Sequence, residues 1–155
     1  MLRKMSALLL TTTLLTGGVA ANAAFAHQAK PVQVNQTIKV MLNGKPFVFP
    51  QDPVSYQGVT YVNASTLAIA LGGTAAWDTM SKSVLIAKGE EYALRIFADN
   101  QLAYKNGKLV QVPAVARPTT GAVLVPLVFV AQELGAKVTL DPKTKTYQIT
   151  LKIEK

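Results

Sequence analysis

Apolar and polar positions change their spacing along the chain, and each change marks an element. Thr37 to Leu42 sets Ile38, Val40 and Leu42 apart by two, as a half-buried strand does. Asn43-Gly44 then predicts a tight hairpin, with Pro46 to Phe49 as the return strand. Pro50 to Gln57 reads as a loop, and Gly58 to Val62 as a strand running into a helix at Ala64 to Leu71. Asn63 is placed to cap that helix, and Gly72-Gly73 to end it. Ala75 to Trp77 and Ser83 to Ala87 make a hairpin, followed by a strand at Tyr92 to Phe97. Tyr92, Leu94 and Ile96 of that strand share one face, with Arg95 on the other.

The second half repeats this order. Leu102 to Lys105 and Leu109 to Val112 flank Asn106-Gly107, and Ala114 to Thr120 reads as a loop. Val123 to Val125 is a strand, and Pro126 suits the first turn of a helix at Leu127 to Leu134. Gly135 ends it, and Lys137 to Leu140 with Thr146 to Ile153 closes the chain as a hairpin. Shifting the sequence by 63 positions lays Asn43 on Asn106, Gly58 on Gly121, Leu71 on Leu134, Gly72 on Gly135 and Asp78 on Asp141 without a gap. Turns, helix stops and strands all share that offset, which is the mark of an internal repeat. The expected fold class is α+β: two tandem repeats, 37–90 and 91–155, each of antiparallel hairpins packed on one short helix. Helices of two turns do not persist alone. Leu67, Ile69 and Leu71 in one, and Leu127, Phe129, Val130 and Leu134 in the other, predict helices buried on more than one side.

Val125-Pro126-Leu127, then Ala131-Gln132-Glu133-Leu134-Gly135-Ala136, then Asp141, with an Asn-Gly turn upstream, resembles the copper amine oxidase N-terminal domain-like family, also called the stalk domain. The resemblance runs from about Thr37 to Lys152. Val128 stands where that family usually has Arg, and Leu140 where it has Trp. The first repeat keeps Trp77-Asp78 but has Asn63 for Pro and Ser65 for Arg. The resemblance implies a domain that spaces or attaches parts of surface proteins, not an oxidase.

Met1 to Ala26 has the plan of a secretory signal peptide: Arg3 and Lys4, an apolar Leu8 to Leu15, and Ala24-Phe25-Ala26 as a cleavage site. Cleavage there leaves 129 of the 155 residues, with His27 to Asn35 as a polar mature terminus. The apolar run is short for a bilayer span, so no stable membrane anchor is expected after cleavage. There is no cysteine, but half of the residues are hydrophobic, enough for a core without disulfides.

Chemistry is sparse. The chain has one histidine, His27, which rules out a Ser-His-Asp or Cys-His centre in the folded part and any two-histidine metal site. A terminal amine with the His27 imidazole can chelate Cu(II), but a copper brace needs a second imidazole. Asp78 and Asp141 follow equivalent strands and are candidates for a carboxylate pair; they are better read as turn openers that bond following backbone N–H groups. The formal charge is +8, and lysines are densest at Lys143, Lys145, Lys152 and Lys155. Basic runs do not interleave with aromatics, which argues against nucleic acid.

The sequence therefore predicts no catalytic residues and no cofactor. It predicts a secreted or wall-associated, non-catalytic module of the cell envelope that binds a protein or an anionic wall polymer. Lys143, Lys145, Lys152, Phe129 and Val128 are the candidate surface. The alternatives are a secreted regulator or inhibitor of an extracellular enzyme, presenting Pro50 to Gln57 and Ala114 to Thr120, and a small carboxylate-dependent hydrolase.

Overall fold

In the computed structural model, residues 37–152 are described, and they fall within one compact unit. Residues 1–36, where a leader, its cleavage site and a polar mature terminus with His27 are expected, and residues 153–155 with Lys155 lie outside the described residues. Thirteen strands and two helices follow in order: β1 (Lys39–Leu42), β2 (Lys45–Phe47), β3 (Val54–Tyr56), β4 (Val59–Asn63), α1 (Ala64–Ala70), β5 (Thr74–Asp78), β6 (Ser83–Lys88) and β7 (Tyr92–Phe97), then β8 (Leu102–Lys105), β9 (Lys108–Gln111), β10 (Arg117–Thr119), β11 (Ala122–Pro126), α2 (Leu127–Glu133), β12 (Ala136–Asp141) and β13 (Thr146–Leu151). Mostly antiparallel sheets with two short helices make this an α+β architecture.

The strands form three sheets, and each draws on both halves of the chain. Their orders are β12-β13-β1-β2, β10-β11-β4-β3 and β5-β6-β7-β8-β9. In the first, β1 and β13 pair in parallel, Val40 against Tyr147. In the third, β7 is inserted between β6 and β8 and runs antiparallel to both. In the second, β4 and β11 pair antiparallel with Val62 opposite Val125 and Tyr61 opposite Pro126. Five elements (β1, β3, β4, α1 and β6) recur with the same bounds 63 positions on, as β8, β10, β11, α2 and β13. The mutual facing of Val62 and Val125 therefore puts two positions of the same rank across one ladder.

The core lies between the helices and the sheets. α1 packs on β5, β6 and β11, and α2 on β12 and β4. Leu67, Leu71, Leu127, Val130 and Leu134 are buried there with Ile86, Leu94, Ile96 and Ile149. Buried positions alternate along β7 and β13, so one face of those strands is turned from the core, whereas Thr60, Tyr61 and Val62 of β4 are buried in succession. Asn63 caps α1 as expected: the Thr66 N–H donates to its side-chain oxygen at 3.0 Å.

Four expectations need correction. The segments expected as loops, Pro50 to Gln57 and Ala114 to Thr120, contain the edge strands β3 and β10. All three residues of β3 are exposed, and β10 carries Pro118, so neither shows an alternating pattern. Pro126 is not in the first turn of α2 but ends β11 as its N-cap, at φ −60 and ψ 114. Its locked φ suits both settings, so the neighbouring ladder with Tyr61 decides. Third, Ile69, expected among the buried positions of α1, is 69% exposed, although α1 packs on β5, β6 and β11. Last, the final strand stops at Leu151 rather than Ile153.

Candidate functional site

Among the described residues, a concavity lies over two hydroxyls. Thr60 on β4 and Tyr147 on β13 are 87 residues apart, yet their hydroxyl oxygens stand 2.9 Å apart and share a hydrogen bond. Only one of the two can donate within the pair, so one O–H remains for a second acceptor. On one side is a hollow of about 610 Å³ walled by Asp52, Pro53, Val54, Leu140, Pro142 and Lys145. On the other is a hollow of about 460 Å³ walled by Gln111, Pro113, Pro126, Val128, Phe129 and Gln132. Both reach Gly58, Thr60 and Tyr147, which form the common floor of one groove. The β3–β4 turn that shapes its rim needs Gln57 at φ 49 and Gly58 at φ 79. Such a pair favours a residue without a Cβ at the second place.

A second cleft of about 350 Å³ lies at the positions offset by 63 and is lined by Asn63, Ala64, Trp77, Val84, Pro118 and Val123. Val84 and Val123 stand there where the groove has Tyr147 and Thr60. One cleft is thus floored by methyl groups and the other by hydroxyls. The first can only exclude water, while the second can also fix the orientation of a polar chain.

The five residues expected as an interaction surface do not form one patch. Lys145 lines one hollow of the groove, and Val128 and Phe129 line the other. Lys143 sits with Lys145 in the β12–β13 turn, whereas Lys152 follows the far end of β13, beyond six strand residues. Thr60 and Tyr147 were not foreseen. The signal available was the mismatch in rank, Val84 against Tyr147 and Val123 against Thr60.

The two aspartates open turns in different sheets. The Asp78 carboxylate accepts from the backbone N–H groups of Met80 and Ser81 and from the Ser81 hydroxyl at 2.7 Å. Arg95 on β7 donates to it at 3.3 Å and also to the Ser81 and Ser83 hydroxyls. Asp141 accepts from the Lys143 N–H and the Thr144 hydroxyl, both at 2.9 Å. These bonds favour the charged form, led by Ser81 for Asp78 and by Thr144 for Asp141, and hold both carboxyls below their ordinary 3.8. Among the described residues no group of three or more His, Cys, Asp or Glu comes together as metal ligands would, and no helix is long and apolar enough to cross a membrane.

Two further clusters tie neighbouring elements together, and in each a contact crosses between the halves: Lys88 to Leu134, and Arg117 to Tyr56 and Tyr61. Glu133, the last residue of α2, accepts from the Tyr92 hydroxyl at 3.0 Å and pairs with Lys105 at 2.7 Å. Burial, then the Glu133 carboxylate, pushes the Tyr92 phenol far above its ordinary 10. Lys88 donates to the Leu134 carbonyl at 2.9 Å, satisfying a terminal group of α2. Across the middle sheet, the Arg117 guanidinium of β10 lies 3.5 Å from the Tyr56 ring centre and 5.4 Å from that of Tyr61. Its buried Nε has no hydrogen-bond partner, and the ring faces supply the compensating attraction.

Residues 41–149 match the family model described as "Copper amine oxidase N-terminal domain", over 109 of the 155 residues. The chain belongs to that family. The family's domain is non-catalytic, and the match is one continuous span. Comparisons with curated proteins and with solved structures give no match.

Proposed function

We propose that the protein is an exported, non-catalytic interaction module of the cell envelope, made of two copies of one half-unit, whose groove over Thr60 and Tyr147 holds an extended protein segment or wall polymer. The observation that carries this reading is the hydroxyl floor. Of two clefts that share a plan, one has gained a polar anchor between apolar walls. A duplication is supported by the shared element bounds and by the self-facing Val62 and Val125. Lys145 at one wall gives an anionic chain a partner, and the prolines and Phe129 give rigid apolar contact. Secretion rests on the leader-like Met1 to Ala26.

The hydrolase alternative needs a shared pair of carboxylates, and Asp78 and Asp141 each serve a turn of a separate sheet. Regulation of an extracellular enzyme would use the same groove, since Asp52, Pro53 and Val54 form one of its walls.

The test is capture from culture supernatant against capture on purified cell wall, with Leu140→Glu and Val128→Glu in the groove and Ile69→Glu outside it. The proposal expects one of the two sources to bind and both groove variants to lose at least tenfold in affinity, with Ile69→Glu unchanged. Capture from neither source, or equal capture by all variants, would contradict it.

A further inference from the structure

The described chain starts at the groove. Thr37 and Ile38, its first two residues, wall the larger hollow beside Val54, Leu140 and Tyr147. The residues that precede Thr37 are therefore tethered at that hollow. Six of them, Pro31-Val32-Gln33-Val34-Asn35-Gln36, reach about 20 Å when extended, at about 3.3 Å each. In that run Val32 and Val34 keep the two-residue spacing of Ile38, Val40 and Leu42, with Gln33 and Asn35 between them.

The hollow offers such a run three kinds of contact. Two apolar side chains of its wall are left uncovered: Val54 is 45% exposed and Leu140 48%. Backbone groups stand free at its edge. Tyr56 faces Val59 across the two-residue turn Gln57-Gly58 as a hydrogen-bonded pair, so Ser55 falls at the non-bonded position and turns its N–H and C=O away from β4. β3 is the edge of its sheet, and Ser55 lines the hollow. Pro53, two residues back along that edge, has no N–H, so the edge accepts a short strand only. The third contact is the O–H left over by the Thr60–Tyr147 pair, which a backbone carbonyl can accept. The ions of the wall are Asp52 and Lys145, which cancel. Residues 31–36 are uncharged, and Lys30, next upstream, complements Asp52.

We propose that residues 31–36 lie extended in this hollow of their own chain, with Val32 and Val34 against Val54 and Leu140 and the backbone paired to Ser55, and that they occupy the groove until a partner displaces them. As control of the groove this rests on the function proposed above; the docking itself does not. Tethering at Thr37 sets an effective concentration on the order of millimolar, so a weak fit is enough to fill the site. An outside segment must then compete with one that is already present.

Backbone relaxation of nitrogen-15-labelled protein produced from the full-length chain tests the docking. Order parameters at Val32 and Val34 should approach the roughly 0.85 of rigid backbone and fall below about 0.6 in Leu140→Glu. Leu140 is half exposed, so its replacement leaves the core in place, and circular dichroism checks the fold. Val34→Asp should shift the Ser55 and Thr60 amide resonances, which Ile69→Glu should leave unmoved. Values below about 0.6 at both valines of the unaltered protein overturn the proposal. Order that is lost on dilution from about 1 mM to about 50 µM overturns it too, because the occupant is then the segment of a second copy. In the capture experiment Val34→Asp should bind at least about threefold more than the unaltered protein, and equal binding overturns the control. Rigid valines with capture from neither source would sink the function above and leave the docking standing; mobile valines with capture would do the reverse.

Discussion

The four-stranded sheet β12-β13-β1-β2 and the five-stranded sheet β5-β6-β7-β8-β9 are two ways of finishing one plan. In the first, the hairpins from the two ends of the chain join directly, β1 parallel to β13. In the second, β7 fills the junction and turns both contacts antiparallel. The same side chain secures either version. Asn43 accepts from the Leu151 N–H at 3.0 Å, and Asn106 from the Ala93 N–H at 2.8 Å. An inserted strand therefore costs no new turn chemistry. It brings Leu94 and Ile96 to the core and widens the outer face. Inward matches such as Leu71 with Leu134 and Val62 with Val125, against outward differences, teach that most of the core keeps the plan while the surface is free to diverge.

The largest expected effect tests equality inside. Leu71→Ala and Leu134→Ala stand at the same rank, 1% and 2% exposed. Each should cost about 3 kcal/mol in urea unfolding, the two agreeing to about 1 kcal/mol. A much smaller loss at either would break the equivalence. Next is a backbone approach present on one side only. A Cβ on Gly73 would lie 2.5 Å from the Ala87 carbonyl oxygen, whereas the same rank on the other side is Ala136. Gly73→Ala should destabilise by about 2 kcal/mol, and Ala136→Gly by no more than about 1 kcal/mol.

The clefts give a smaller effect. Tyr147→Phe leaves the buried Thr60 hydroxyl without its partner and should cost about 1–2 kcal/mol. Adding Thr60→Val should recover most of that, because the double variant approaches the Val84 and Val123 floor of the other cleft. A double variant as unstable as the sum of the singles would show that the hydroxyl pair is not the cause. The smallest effect is that of the turn aspartates. Their folded pKa values are depressed, so their contribution is present above about pH 4 and is lost as pH falls through the folded values. Asp78→Asn and Asp141→Asn should each flatten the acid limb of the stability profile, and by similar amounts, because hydroxyl and backbone donors dominate at both sites.

The two helices, the cap of α1 and the hairpin turns were legible because each rests on local chemistry: Asn63 before α1, Asp78 and Asp141 at hairpins, Asn43 and Asn106 beside glycines. β3 and β10 were not, since short exposed edge strands carry no periodicity. Tertiary register hid the groove: Thr60 and Tyr147 meet only because β1 carries β13 to the start of the chain. The same ladder settles how the halves combine, a point the repeat alone leaves open. Hairpin β1–β2 completes the sheet of β12–β13, and β8–β9 completes the sheet of β5–β6, so each half depends on the other for its outer strands.

That mutual dependence is the central claim, and fragment complementation tests it most directly. Residues 34–90 and 91–155, prepared separately, should each give a collapsed amide proton spectrum, and mixing them should restore full dispersion with micromolar affinity. A well-dispersed spectrum from either fragment alone would contradict the account.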